Sequence, residues 1–354
     1  MKQYLAMAFL ASLPVSAGVT YTVTDIGVLP GGSESLAGGL SSNGYVSGTG
    51  DTFDPNGFGS VTHAFVWEDG TLYDVGALLN NNGLPGSGPD YNSNGASVNS
   101  NGTVTGRAMA NFGQSGALYG NPNIAGIIPN LAEGFSINDS GQVVGDQYLY
   151  DPMTGQVTDL NQLTNGQVFW ATAINDSSQI TGSANGPNYT TQAYILSGNN
   201  LTLLGTLPGG TYARGNAISE SGLVTGVSDD ASGINHAFYT DSSGAMHEIT
   251  GGAIGNGINS AGDVVGIGDA YSAFLYADGV LSNLNTLLAT PGYTLTSALA
   301  INDNGQILAQ GTTPTDGYDA LLLTPLVSAA PEPAGLGLLA FGSLFAFLVS
   351  KRRT

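Results

Sequence analysis

A nine-residue theme recurs seven times along this 354-residue chain and leaves few folds open to it. The copies are LSSNGYVSG from Leu40, VNSNGTVTG from Val98, INDSGQVVG from Ile137, INDSSQITG from Ile174, ISESGLVTG from Ile218, INSAGDVVG from Ile258 and INDNGQILA from Ile301. Each begins with an aliphatic residue, turns through small polar residues and continues as a strand-like run. The fifth position is Gly44, Gly102, Gly141, Ser178, Gly222, Gly262 and Gly305, so successive copies stand 58, 39, 37, 44, 40 and 43 residues apart. A period of this size marks a repeat architecture, in which a unit buries its apolar faces against its neighbours.

Two further strands follow in the clearest unit. Residues 63–67 (HAFVW) alternate and lead into the turn Glu68-Asp69-Gly70, and residues 71–78 (TLYDVGAL) read as the next strand. Similar stretches begin at Gln192, His236 and Ser272. Four short strands per period, joined by Asn, Asp and Gly turns, are the signature of a propeller blade. The seventh unit runs through Asp319 to Leu323 and lacks a fourth strand, whereas residues 20–32 (TYTVTDIGVLPGG) look like the fourth strand that ends another unit, LTLLGTLPGG from Leu201. The expectation is an all-β chain with a seven-bladed β-propeller over residues 18–324, closed by its N-terminal strand. Six or eight blades, or an open β-solenoid, are the alternatives.

Composition sets the chemistry aside from the fold. The chain has no cysteine, so thiol catalysis, Cys-ligated metals and disulfides are excluded, and a closed ring without free edges would hold the domain instead. Its formal charge is −20, and of six basic residues only Arg107 and Arg214 lie away from the two ends. Nucleic-acid affinity rests on cations that displace counterions, so nucleic acid is excluded as a partner. Cations and neutral sugars suit such a surface better.

The two ends read as addresses. Residues 1–17 (MKQYLAMAFLASLPVSA) carry one lysine, a short apolar run and a small-residue site, which is a secretory signal peptide cleaved after Ala17. Residues 325–333 form a Pro-rich linker, residues 334–350 an uncharged apolar helix, and residues 351–354 a basic tail. The positive-inside tendency keeps Lys351, Arg352 and Arg353 in the cytoplasm and everything before Pro331 outside. Pro331-Glu332-Pro333, the helix and the basic cluster together resemble the PEP-CTERM sorting signal of Gram-negative bacteria. That resemblance implies recognition by an exosortase-type membrane enzyme after signal peptidase has acted. It further implies an inner-membrane intermediate, release or transfer to the cell surface or exterior, and an association with exopolysaccharide or biofilm matrix.

The His-Ala-Phe triplets at His63 and His236, with the Ile-Asn-Asp lead, are similar to the HAF-repeat family of extracellular bacterial proteins. This family implies location and architecture rather than an activity. Both histidines occupy one repeat position and read as hydrogen-bonding core or edge residues; His247 matches neither, so no symmetric three-histidine metal site is available. The corners Asn138-Asp139, Asn175-Asp176 and Asn302-Asp303 read as turn chemistry. Asp229-Asp230 is the position best suited to an adventitious calcium ion, and no cofactor is otherwise expected. No nucleophile elbow, P-loop or zincin motif is present, so no catalytic residue is assigned. The insertion 80–94 reads as a polar loop. A non-enzymatic surface or matrix propeller is the leading expectation, and a secreted glycan-active hydrolase or lyase with carboxylates near the central channel is the alternative.

Overall fold

The computed structural model describes residues 19–53, 59–81, 92–109, 115–315 and 317–326. The expectations for the signal peptide, Pro331–Pro333, the apolar helix and Lys351–Arg353 lie outside the described residues. Within them no helix is long and apolar enough to cross a membrane.

The strands form seven four-stranded antiparallel sheets, one per repeat unit. These blades cover residues 35–74, 92–128, 136–159, 168–205, 213–248, 252–283 and 294–325. Blades 1 to 6 each use four consecutive strands, whereas blade 7 has three and takes its fourth from Tyr21–Asp25. That strand lies antiparallel to Tyr318–Pro325, from Tyr21 opposite Pro325 to Asp25 opposite Leu321. The Leu326 N–H donates to the Thr20 carbonyl at 2.8 Å and extends the pairing by one step. Seven blades and N-terminal closure are both as the sequence predicts.

Packing explains the His-Ala-Phe triplet. The buried side chains form seven apolar clusters, one at each interface between neighbouring blades. Alternate residues of a strand point to opposite faces, so the third strand of a blade serves two interfaces. Ala64, Ala237 and Ala273 face the following blade, while Phe65, Phe238 and Phe274 face the preceding one. All six are buried, and the Ala193-Tyr194 and Ala320-Leu321 pairs follow the same rule. Burying a Phe side chain in such a layer contributes roughly 3 kcal/mol.

The repeated theme is the hairpin between the first and second strands of each blade. Its fifth residue is left-handed in every copy, with φ between 58° and 98°, and Ser178 takes this geometry without being glycine. The ninth position of the first six copies is glycine for a different reason. A Cβ on Gly145 would overlap the backbone carbonyl of Glu133, just ahead of the first strand of blade 3, and one on Gly226 that of Arg214 on the bulged first strand of blade 5.

Two expectations need correction. The run 71–78 is a strand only over Thr71–Asp74; Asp74 then accepts the Ala77 N–H, and a 3-10 helix follows over Gly76–Asn81. The buried Val75 and Leu79 sit four residues apart, which fits a helical turn better than alternation. The polar stretch 80–94 does not end as a loop, because Asn92–Val98 is the first strand of blade 2. Ser93 is buried there and accepts the Ala64 N–H at 2.9 Å.

Candidate functional site at the channel mouth

The first strands line a central channel. The opening residues of the theme, Leu40, Val98, Ile137, Ile174, Ile218, Ile258 and Ile301, form an aliphatic collar around it. Above the collar, at the end bearing the repeated hairpins, lies a cavity of about 180 Å³.

The second and third positions of the theme build two circles of residues at this mouth, each joined by hydrogen bonds between four pairs of neighbouring blades. The second is a buried Asn in five copies and a buried Ser at Ser41 and Ser219. The Asn99, Asn138, Asn175 and Asn302 amides donate to the carbonyls of Asn138, Asn175, Ser219 and Ser41 on the following blade, at 3.0, 3.1, 2.9 and 3.0 Å. Their side-chain oxygens accept backbone N–H groups of their own turns, as from Thr103, Gln142, Gln179 and Gln306. One side chain thus closes its own turn and grips the next blade.

The third position carries Ser42, Ser100, Asp139, Asp176, Glu220, Ser260 and Asp303 around the channel. Each acid accepts the backbone N–H of the same position one blade earlier. Ser100 donates to Asp139 at 2.8 Å, Asp139 to Asp176 at 2.7 Å, Asp176 to Glu220 at 2.9 Å and Ser260 to Asp303 at 2.7 Å. Burial, reinforced by the Asp176, Asp303 and Asp139 carboxylates, pushes the Glu220 carboxyl up to about 7. Burial also raises Asp176 above the usual carboxylate range. Glu220 stands at the end of a run of three acids, with its side chain open to solvent at the mouth.

The corners read as turn chemistry are therefore turns and inter-blade links at once. Sequence reasoning passed over Glu220 and the shared ring. The signal was available in the third column of the aligned copies, where four of seven positions are acidic.

The other candidates fall elsewhere. His63 is buried, with Nδ1 at 2.9 Å from both Asp74 oxygens, and its Nε2 is buried without a hydrogen-bond partner. His236, at the equivalent position, is more open and lies 3.5 Å from Asp230 and 3.7 Å from Glu248. His247 pairs with Asp241 at 2.8 Å and stacks on Tyr239. Asp229 and Asp230 do not converge as ligands. Asp229 accepts from the Thr211 and Tyr212 N–H groups at 2.7 Å each, whereas Asp230 accepts from Ser232 and Ile234 in its own turn. Among the described residues no group of three His, Asp or Glu side chains could hold a metal ion.

Fold and ring define a seven-bladed β-propeller stitched at its channel mouth. Among solved structures, the chain is similar to the β-propeller domain of the trilobed protease from Pyrococcus furiosus, at 11% identity and a TM-score of 0.46, covering 82% of this chain and 93% of that one. It is also similar to the lectin BP39L from Burkholderia pseudomallei, at 11% identity and a TM-score of 0.39, covering 89% and 97%. A third similarity is to the sialidase of Trypanosoma rangeli, at 9% identity and a TM-score of 0.38, covering 90% of this chain and 59% of that one. At such identities and scores the likeness carries no functional statement. No family model and no curated protein matches the chain, so the PEP-CTERM and HAF resemblances rest on the residues quoted for them.

Proposed function

We propose that this chain is an exported surface or matrix propeller of a Gram-negative bacterium that works by binding and scaffolding rather than by catalysis. The observation that carries this reading is at the channel mouth. There all four acids, Asp139, Asp176, Glu220 and Asp303, already accept a backbone N–H from the preceding blade. Each of these carboxylates is thereby a link between neighbouring blades, which is the role of a structural scaffold. The export half of the reading draws on the terminal motifs, and the seam supports it. Tyr21 lies opposite Pro325, so chain segments toward Ala17 and toward Pro331 leave from one edge of one blade, and trimming both would leave every described strand in place.

Glu220 supports the second reading, a glycan-active enzyme, because a carboxyl raised to about 7 beside an acidic neighbour is the pattern of a general acid. Purified full-length chain incubated with a panel of extracellular polysaccharides separates the two. Binding without release of reducing ends or unsaturated products is expected. Turnover that disappears in Glu220→Gln would establish the enzyme. For export, the C-terminal mass of protein recovered from the cell surface is decisive: the expected form lacks Lys351, Arg352 and Arg353.

A further inference from the structure

A second concave site lies outside the ring, in the cleft between blades 5 and 6, where a groove of about 360 Å³ opens. Leu223 supplies apolar surface, Tyr239 and Tyr276 supply ring edges and hydroxyls, and Asp241, Asp263 and Asp278 supply carboxylates. The aromatic part is a fixed ladder. His247 stacks on Tyr239 at 5.2 Å between centroids, and Tyr239 lies 5.4 Å from Tyr276.

The charges select the ligand. Among the described residues no lysine or arginine lines the groove, so an anionic ligand meets repulsion with no counter-charge there. The acids are largely committed. Asp241 accepts from the Ser243 and Ala245 N–H groups at 2.8 and 3.1 Å, from the Ser243 hydroxyl at 2.6 Å and from His247 at 2.8 Å. Asp263 is buried and accepts the Asn259 amide at 3.0 Å. A cation would therefore find carboxylates already engaged by internal donors, with Asp278 as the exposed one. What the groove offers is the Leu223 side chain, two tyrosine rings whose hydroxyls are hydrogen-bonded to each other, and carboxylate acceptors. These match a pyranose, which is apolar on its C–H face and a donor at its hydroxyl edge.

We propose that the groove between blades 5 and 6 binds a neutral saccharide, with the sugar ring against Leu223 and Tyr276 and its hydroxyls donating to the Asp278 side. The proposal rests on the reading of the chain as an extracellular binding propeller and places the recognition away from the channel mouth.

Titration calorimetry on the full-length chain tests it, with neutral α- and β-linked glucose hexamers, a hexauronate and spermidine as probes. The expected result is binding of a neutral hexamer and none of the hexauronate. Two variants should weaken that binding at least about tenfold. Tyr276→Ala removes the ring, and Ala261→Trp fills the groove from an exposed position without deleting any contact. An unchanged melting temperature in Ala261→Trp excludes a folding defect. Neutral binding that survives Ala261→Trp but is lost in Glu220→Gln would overturn the groove and leave the binding-propeller reading standing. Failure of every neutral hexamer, or binding of spermidine or hexauronate alone, would overturn the groove outright. Saccharide turnover would sink the broader reading as well.

Discussion

The two sets of hairpins on the channel-mouth face are built on opposite plans. The inner hairpins, between first and second strands, send side chains to partners about forty residues away; Asn138 reaches Asn175, and Asn175 reaches Ser219. The outer hairpins, between third and fourth strands, satisfy themselves locally. Asn121 accepts from Asn123 and Ile124, Asp151 from Met153, and Asp241 from Ser243 and Ala245, all within four residues. An inner hairpin must fit the next blade, so its sequence repeats. An outer hairpin needs only to turn, so its length and side chains are free to vary, and recognition can be placed there.

Breaking the inner plan should cost most. Asn175→Ala removes a buried amide that donates to Ser219 and Gln179 and accepts from the Gln179 N–H, and it strands their polar groups. A loss of about 3 kcal/mol is expected in denaturant melts. The outer counterpart, Ser243→Ala, removes an exposed hydroxyl that donates to Asp241 and should change stability by less than about 0.5 kcal/mol.

Between these extremes the ring has a pH signature. The Glu220 carboxyl sits near 7 in the folded chain against an ordinary 4.5, so the folded state holds this proton more tightly. The contribution of Glu220 to stability therefore falls as pH rises from about 4.5 through about 7 and is least favourable above that. Glu220→Gln removes the penalty and keeps an acceptor for the Asp176 N–H. Melting at pH 8 should rise by roughly 2 °C, the effect of the ~1 kcal/mol left after solvent screening, with no gain at pH 4.

A second small effect is the most diagnostic of the turn itself. Ser178→Gly relieves a left-handed serine by ~1 kcal/mol and deletes its 2.6 Å hydrogen bond to Gln142 on the preceding blade, worth about as much. Calorimetry should find a net change within about 0.5 kcal/mol. A large loss would mean that the link to Gln142 outweighs the backbone geometry.

The same contrast explains what was legible beforehand. Blade number and closure could be read because inner hairpins repeat their constraint in the sequence, from Leu40 to Ile301, and because residues 20–32 mimic a fourth strand. The role of Asn138 could not, because a turn residue and a cross-blade link use the same amide group, whereas the acids of the third position leave their trace in four of the seven copies. The helix at Gly76–Asn81 was hidden by accidental alternation in TLYDVGAL, although Asp74 is the residue that stops the strand. The groove was invisible for another reason. Tyr239 and Tyr276 lie on different blades, and only the ring's curvature makes them neighbours.

The seam also fixes an order of events. Tyr21–Asp25 leaves the ribosome before any other described strand, yet its partner Tyr318–Pro325 is the last strand described, and the Thr22 hydroxyl bonds the Thr324 carbonyl across 302 residues. The earliest strand must therefore wait unpaired for nearly the whole chain to emerge. A chain halted before blade 7 has no ring, only a stack with an uncovered apolar face at each end and Tyr21–Asp25 left without its partner strand, which invites strand exchange between copies. Arrival of the last described blade is thus the step that closes the ring, since only a chain that includes Tyr318–Pro325 can latch.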